Sequence, residues 1–250
     1  MATPAGGNHS TDNFDAQNIS FTNVPLNEWA PEQIQAYNRR IISGLEDKPY
    51  KLNESPQDRP VRIFSDGVYD MFHVGHAIQL RHAKLSFPSV HLIVGMCSDE
   101  EVERYKGRPI MTFEERREAL LHCRWVDEVV QNDSWILSDA FLDKLNIDYV
   151  AHDDAPYPGA GGEPDGFKFL KDQGKLLPMP KLPGISTSEI LGRVVERYER
   201  GDLDHKFEKI GRLELMNKMR AVRRSVLPLG NALVFAVPIL LTGLISFKPT

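Results

Sequence analysis

The chain reads as an α/β protein with a mostly parallel sheet, on three observations. Short apolar runs alternate with helix-patterned stretches between residues 61 and 154. One run, VHLIVGMCSD at 90–99, is apolar enough to be covered on both faces, as parallel strands are. Finally, 250 residues with 41% hydrophobic content suffice for one such domain plus extensions.

The elements follow in chain order. Residues 1–58 are rich in Asn, Pro, Gly, Ser and Asp, and offer too little apolar surface to offset the entropy of ordering. They read as a mostly disordered extension, with one short helix opened by Pro31 and ending near Leu45. The start lacks the basic lead and apolar core of a secretory signal. Order is expected from Arg59. VRIFSDG (61–67) is a strand, AIQLRHAKL beginning near His76 a helix, and 90–99 the next strand. EERREALLHC (114–123), WVDEVV (125–130), SDAFLDKLN (138–146) and IDYVAHDD (147–154) continue as helix, strand, helix, strand. This Rossmann-like alternation places ligands at the carboxyl ends of the strands. A further helix runs through GISTSEILGRVVERYE (184–199), with Ser186 and Glu189 spaced as a capping box. The expected domains are 1–58, 59–200 and 201–250.

Charge is divided unevenly. The chain carries a net -5, but residues 201–250 are net +4 and residues 1–200 net -9. The acidic core has no basic stripe with interleaved aromatics, which argues against nucleic acid as a partner. Cys97 and Cys123 give neither a disulfide framework nor a metal quartet, so a reducing compartment is expected. Residues 202–224 are basic and partly amphipathic. The 22 residues from Val226 to Phe247 carry no charge. A bilayer core of ~30 Å takes ~20 apolar residues, so this run either enters a membrane behind Arg220, Arg223 and Arg224, or packs as an apolar tail.

The densest chemistry is SDGVYDMFHVGHAIQL (65–80). His73 and His76 flank Gly75 directly after a strand and at the start of a helix. A helix start offers unpaired N–H groups to anionic oxygen, and two imidazoles beside it can donate to phosphoryl oxygens. The spacing also fits two structural histidines. A zinc site would lack an evident third ligand, and no GxxxxGK[ST] is present, which excludes a P-loop enzyme. Lys106 in RYKGRP follows the second strand, where an ammonium reaches a triphosphate. GISTSE offers a second phosphate seat at Gly184, Ser186 and Thr187, with Lys181 upstream. His152, Asp153 and Asp154, with Tyr157 behind them, end a strand. A carboxylate with aromatic walls, among which Trp135 is a candidate, is how a protein holds a quaternary ammonium.

With these motifs quoted, the chain resembles the eukaryotic choline-phosphate cytidylyltransferases of the HxGH nucleotidyltransferase superfamily. The resemblance rests on SDGVYDMFHVGHAIQLRHAK (65–84), VGMCSDE (94–100), YKGRPIM (105–111), residues 114–142, IDYVAHDDAPY (147–157) and GISTSEI (184–190). It implies transfer of a cytidylyl group from CTP to phosphocholine, giving CDP-choline and pyrophosphate in phosphatidylcholine synthesis, with Mg2+ carried by the triphosphate. His73, His76 and Lys106 are implied as catalytic. Phe64, Asp66, Gly67, Asp70, Gly75, Arg124, Asp127, His152, Gly184, Ile185, Ser186 and Thr187 are implied around the nucleotide. Lys106, Trp135, Asp153, Tyr157 and Phe167 are implied around phosphocholine. A homodimer with Arg124, Trp125 and Asp127 at its seam is also implied. The tail departs most from the family, whose animal members have a long charged amphipathic helix; here the Arg220–Arg224 cluster abutting 226–247 is what makes lipid contact through the C-terminal tail an expectation, with a place on the cytosolic face of endoplasmic-reticulum or nuclear membranes, or in cytoplasm or nucleus. The enzymatic alternative is a phosphoethanolamine or other phospho-alcohol cytidylyltransferase, and the non-enzymatic one a membrane-bound scaffold that keeps the fold. The pattern departs at Lys181-Leu182-Pro183, where family members carry arginine, and at Phe167, where a tyrosine is usual.

Overall fold

The computed structural model describes residues 28–132, 134–156, 164–179 and 182–226. Two compact units are present, 1–187 and 188–250.

The first unit holds α1 (Pro31–Ile42), β1 (Val61–Gly67), α2 (Val74–Leu85), β2 (Val90–Met96), α3 (Asp99–Tyr105), α4 (Phe113–Leu121), β3 (Glu128–Gln131), α5 (Asp139–Lys144), β4 (Tyr149–His152), α6 (Lys168–Asp172) and β5 (Leu176–Pro178). All strand pairs are parallel, in the order β3-β2-β1-β4-β5. From β1 the chain steps outward through β2 to β3, then returns to the other side of β1. The strand order therefore reverses between β1 and β4, the position at which open α/β sheets bind ligands.

Strand alternation sorts the side chains into two cores. Ile63, Leu92, Val94, Tyr149, Ala151 and Leu177 enter one, while Phe64, Ile93, Val150 and Leu176 enter the other. Leu80 of α2, Leu120 of α4 and Ile41 of α1 cover the first, and Leu142 of α5 and Leu170 of α6 cover the second. Both faces are thus sealed, which is why the central runs read as continuously apolar. Each fully buried aliphatic side chain stabilises the domain by roughly 1.5–3 kcal/mol.

Order begins well before Arg59. Trp29, Ile34, Ile41 and Leu52 are buried, and Trp29 lies 5.8 Å from the His82 ring while its carbonyl accepts from Arg81 at 2.7 Å. The helix expected from Pro31 is present as α1, while the mobility expected of the rest of 28–58 does not hold, because Trp29 packs on α2 and Leu52 enters the first core. Residues 1–27 lie outside the described residues.

In the second unit, α7 (Thr187–Glu199) leads to α8 (Asp204–Lys209) and α9 (Leu213–Val226). Gly211, at φ +73°, turns the chain between α8 and α9, so the basic stretch forms two helices. Arg220 Nε donates to Asp204 Oδ2 at 2.7 Å across them. Among the described residues no helix is long and apolar enough to cross a membrane. The uncharged run to Phe247 lies outside them from Leu227 onward.

Candidate active site

The β1–α2 junction is a tight turn with two left-handed non-glycine residues, Tyr69 (φ 55°) and Met71 (φ 49°). Such conformations cost energy and persist only where neighbours enforce them. Tyr69 is buried, and its phenol lies 3.1 Å from Ser65 Oγ and 3.2 Å from the Ser65 carbonyl. Met71 N–H points to Met111 Sδ at 3.1 Å.

This turn delivers His73 as the N-cap of α2. Its Nδ1 accepts from Gly75 N–H at 3.1 Å. That bond leaves the ring proton on Nε2, where it can be donated outward. The His73 and His76 rings stack at 3.8 Å. A Cβ at residue 75 would stand 2.9 Å from His73 Cε1 and 3.3 Å from Ile185 Cγ2, so glycine is required for the stack. His76 is also packed by Tyr69 and Phe72. Its Nδ1 is sealed from solvent without a hydrogen-bond partner among the described residues. Burial pushes this imidazole down to about 3, with His73 and Lys106 adding to the shift and Asp70 opposing it. His76 is therefore neutral at pH 7.

Asp66, at the carboxyl end of β1, has a buried Oδ1 that is likewise unpartnered among the described residues. Burial raises its carboxyl, against the opposing charges of His152 and Lys106. Lys106, exposed at the end of α3, is thus electrostatically coupled to both unpartnered groups from the neighbouring loop. Orphaned buried polar atoms are costly unless a ligand completes them.

Asp70, expected around the nucleotide, uses both carboxylate oxygens on the Ile110 and Met111 N–H groups, each at 2.9 Å. Its carbonyl accepts from Thr187 Oγ1 at 3.1 Å. It thereby fastens the loop after Lys106 and Thr187, the last residue of the first unit, to the histidine turn. Gly184 supplies the φ of +76° that brings the chain to Ile185. Gly67 has Tyr69 against it: a Cβ there would lie 3.0 Å from the ring.

A second cluster is built at the ends of β4 and β3. His152 lies at the end of β4, its ring 4.2 Å from that of Phe167, and its Nδ1 is 3.0 Å from the Asp153 carbonyl. Trp135, half-buried, stacks on Tyr105 at 5.3 Å, beside Lys106. Tyr157 and Lys181 lie outside the described residues.

Three expected nucleotide residues are placed elsewhere. Phe64 is fully buried, edge-on to Phe141 at 5.4 Å; its side chain belongs to the core, and the expectation of a ligand contact is corrected on that ground. Asp127 stands at the amino end of β3, accepting from Leu92 N–H at 2.6 Å and Lys84 Nζ at 2.5 Å. Arg124, with its guanidinium 4.7 Å from the Trp125 ring, precedes the same strand. Neither lies at the carboxyl edge with the histidines.

Sequence reasoning also missed Arg116. It is fully buried and donates to the Val68 carbonyl at 2.7 Å, the Cys97 carbonyl at 3.1 Å and Asp99 Oδ1 at 2.7 Å. One guanidinium therefore ties together the loops that leave β1 and β2. In EERREAL nothing but its helical phase separates Arg116 from the exposed Arg117.

Comparison with known proteins agrees with this geometry. Residues 64–193 match the cytidylyltransferase-like family model. The chain belongs to that family. It is 43% identical over 166 residues to a probable choline-phosphate cytidylyltransferase of Schizosaccharomyces pombe, covering 66% of this chain and 46% of the relative. A choline-phosphate cytidylyltransferase of Arabidopsis thaliana is 47% identical, with 62% of this chain and 51% of the relative covered. An ethanolamine-phosphate cytidylyltransferase of Dictyostelium discoideum is 35% identical, with 58% and 39% covered. The chain spans about half the length, or less, of these curated relatives. No group of three His, Cys, Asp or Glu among the described residues could hold a metal ion.

Proposed function

We propose that this protein transfers a cytidylyl group from CTP to phosphocholine, releasing pyrophosphate. One observation carries the reading. Two stacked imidazoles, an unpartnered Asp66 oxygen and the Lys106 ammonium are associated at the point where the strand order reverses. The choline-phosphate relatives, more similar than the ethanolamine-phosphate one, support the acceptor.

The phosphate oxygen of phosphocholine attacks the α-phosphorus of CTP in line. The new P–O bond forms as the bond to the β-phosphate oxygen breaks, and no covalent enzyme intermediate intervenes. His73 donates from Nε2, and His76, neutral and desolvated, gives its ring N–H to the same oxygens as charge builds. The N-terminus of α2 adds backbone N–H groups. Lys106 neutralises charge on phosphates of both substrates. Gly184, Ile185, Ser186 and Thr187 seat the outer phosphates. Magnesium arrives with CTP as part of that substrate.

Asp153 supplies negative charge for the trimethylammonium group, which has no hydrogen to donate, and Trp135 and Phe167 supply aromatic faces. The basic helix α9 and the uncharged run after it hold the enzyme on the cytosolic face of a membrane, and the active form is a homodimer. Carbonate and high-salt washing of membranes tests the first point; release by salt alone would rule out an integral anchor. Light scattering of the purified chain tests the second.

The deciding experiment measures CDP-product formation with phosphocholine and phosphoethanolamine in competition. His76→Ala and Lys106→Ala are each expected to lower kcat about 100-fold or more with phosphocholine. Near-normal turnover in both variants would refute the assigned roles. Preference for phosphoethanolamine would move the acceptor to the other branch.

A further inference from the structure

The acceptor side, the cluster at the ends of β4 and β3, has two feet: the first lies outside any strand or helix, and the second enters α6, whose Leu170 and Lys171 N–H groups donate to the Phe167 carbonyl. The first is Asp153-Asp154, directly after β4; the second is Asp165-Gly166-Phe167, directly before α6. Lys171 joins them, donating to the Asp154 carbonyl at 3.1 Å and to Asp165 Oδ2 at 2.6 Å. The other Asp165 oxygen accepts from Phe167 N–H at 3.1 Å, which sets the ring that faces His152.

The Asp154 carboxylate is taken by a residue from far away in sequence. Lys48, in the segment after α1, forms an ion pair with Asp154 Oδ2. That segment is firmly based. Tyr50 packs against both cores, with the Lys171 ammonium 5.9 Å from its ring centroid, and Leu52 is buried. Asn53 then pairs with the far end of the same region. Its N–H donates to the Gly174 carbonyl at 2.9 Å, its side chain to the Gln173 carbonyl at 2.8 Å, and its own carbonyl accepts from the Tyr149 phenol at 2.6 Å.

We infer that Lys48 is a positioning residue for the acceptor: it holds Asp154 beside Asp153 and, through Lys171 and Asp165, the backbone of Phe167, and so sets affinity for phosphocholine without touching either substrate. This rests on the cytidylyltransferase reading above. The Lys48–Asp154 pair is partly exposed, and such pairs add little to global stability. A site group displaced by about 1 Å nonetheless loses much of its effect. The signature is therefore a change in one substrate's KM, with folding little altered.

The test uses the full chain and compares Lys48→Ala, Lys48→Arg and Arg40→Ala, the last breaking the neighbouring Arg40–Glu46 pair as a control. For Lys48→Ala the KM for phosphocholine should rise about tenfold, with KM for CTP and the thermal midpoint near wild type. Lys48→Arg should restore most of the loss, and Arg40→Ala should change neither KM. Equal rises in both KM values, or no rise at all, would overturn the inference. Amide exchange at 153–156 and 164–172 gives a readout independent of turnover and should quicken in Lys48→Ala alone; unchanged exchange would also overturn it. If wild-type protein forms no CDP-choline, the functional reading fails, and the exchange result still decides whether Lys48 holds the loop.

Discussion

The phosphate corner and the acceptor side meet at one sheet edge but are put together differently. The corner is mostly local: Ser65, Tyr69, His73, Gly75 and His76 lie within twelve residues and fix one another by short contacts. The acceptor side draws on Lys48, Tyr105, Trp135, His152, Phe167 and Lys171, joined by ion pairs and ring contacts across the chain. A reaction centre that must be held to a fraction of an ångström is thus made within one turn. The acceptor side is made from parts that can change separately.

The largest expected effect breaks the corner from behind. Arg116→Gln removes three donors and leaves Asp99 and two loop carbonyls without their partner. A loss of about 3–5 kcal/mol is expected in urea unfolding, with turnover lost in parallel. Gly75→Ala is sharper. The new methyl must displace the His73 ring, so kcat should fall about 100-fold, equivalent to roughly 2.7 kcal/mol, while the thermal midpoint moves little. A larger rise in the phosphocholine KM than fall in kcat would mean the two regions are less separate than drawn.

The third is an effect of pH. His76 has a folded value of about 3, below the unfolded 6.5, so the unfolded chain takes the proton first as acid is added. Stability should therefore fall as pH drops below 6.5 and level off near 3. Between pH 7 and 5 this group alone accounts for roughly 2 kcal/mol. Comparing unfolding of wild type and His76→Gln at both pH values isolates it; an identical acid slope in the two proteins would contradict burial of a neutral His76. The smallest effect belongs to the acceptor side. Lys168→Ala breaks only the exposed i,i+4 pair with Asp172, and a change of at most about 0.5 kcal/mol with an unaltered phosphocholine KM is expected.

Legibility in the sequence followed the same division. β1, β2 and β4 were readable because burial on both faces leaves a continuous apolar run. α3 was not, since DEEVERY buries only Val102, and β5 is three residues long. WVDEVV was read as strand three residues early; Trp125 and Val126 pack against the core from the preceding loop. His73, Gly75 and His76 could be found because their chemistry lies in four consecutive residues. Asp70 is expected around the nucleotide, but its role in fastening the lysine loop is hidden in the sequence, because its partners at Ile110 and Met111 are forty residues away. Lys48 is hidden for the same reason, at a greater separation. Phe64 shows the converse: it directly precedes the histidine motif, yet strand alternation turns its ring into the core.

Asp70 fastens three things at once: the histidine turn on which it sits, the backbone of Ile110 and Met111 beyond Lys106, and the Thr187 hydroxyl. Removing that one carboxylate would therefore cut the lysine loop loose from the imidazoles while leaving the threonine, which is tied to the main chain, in place.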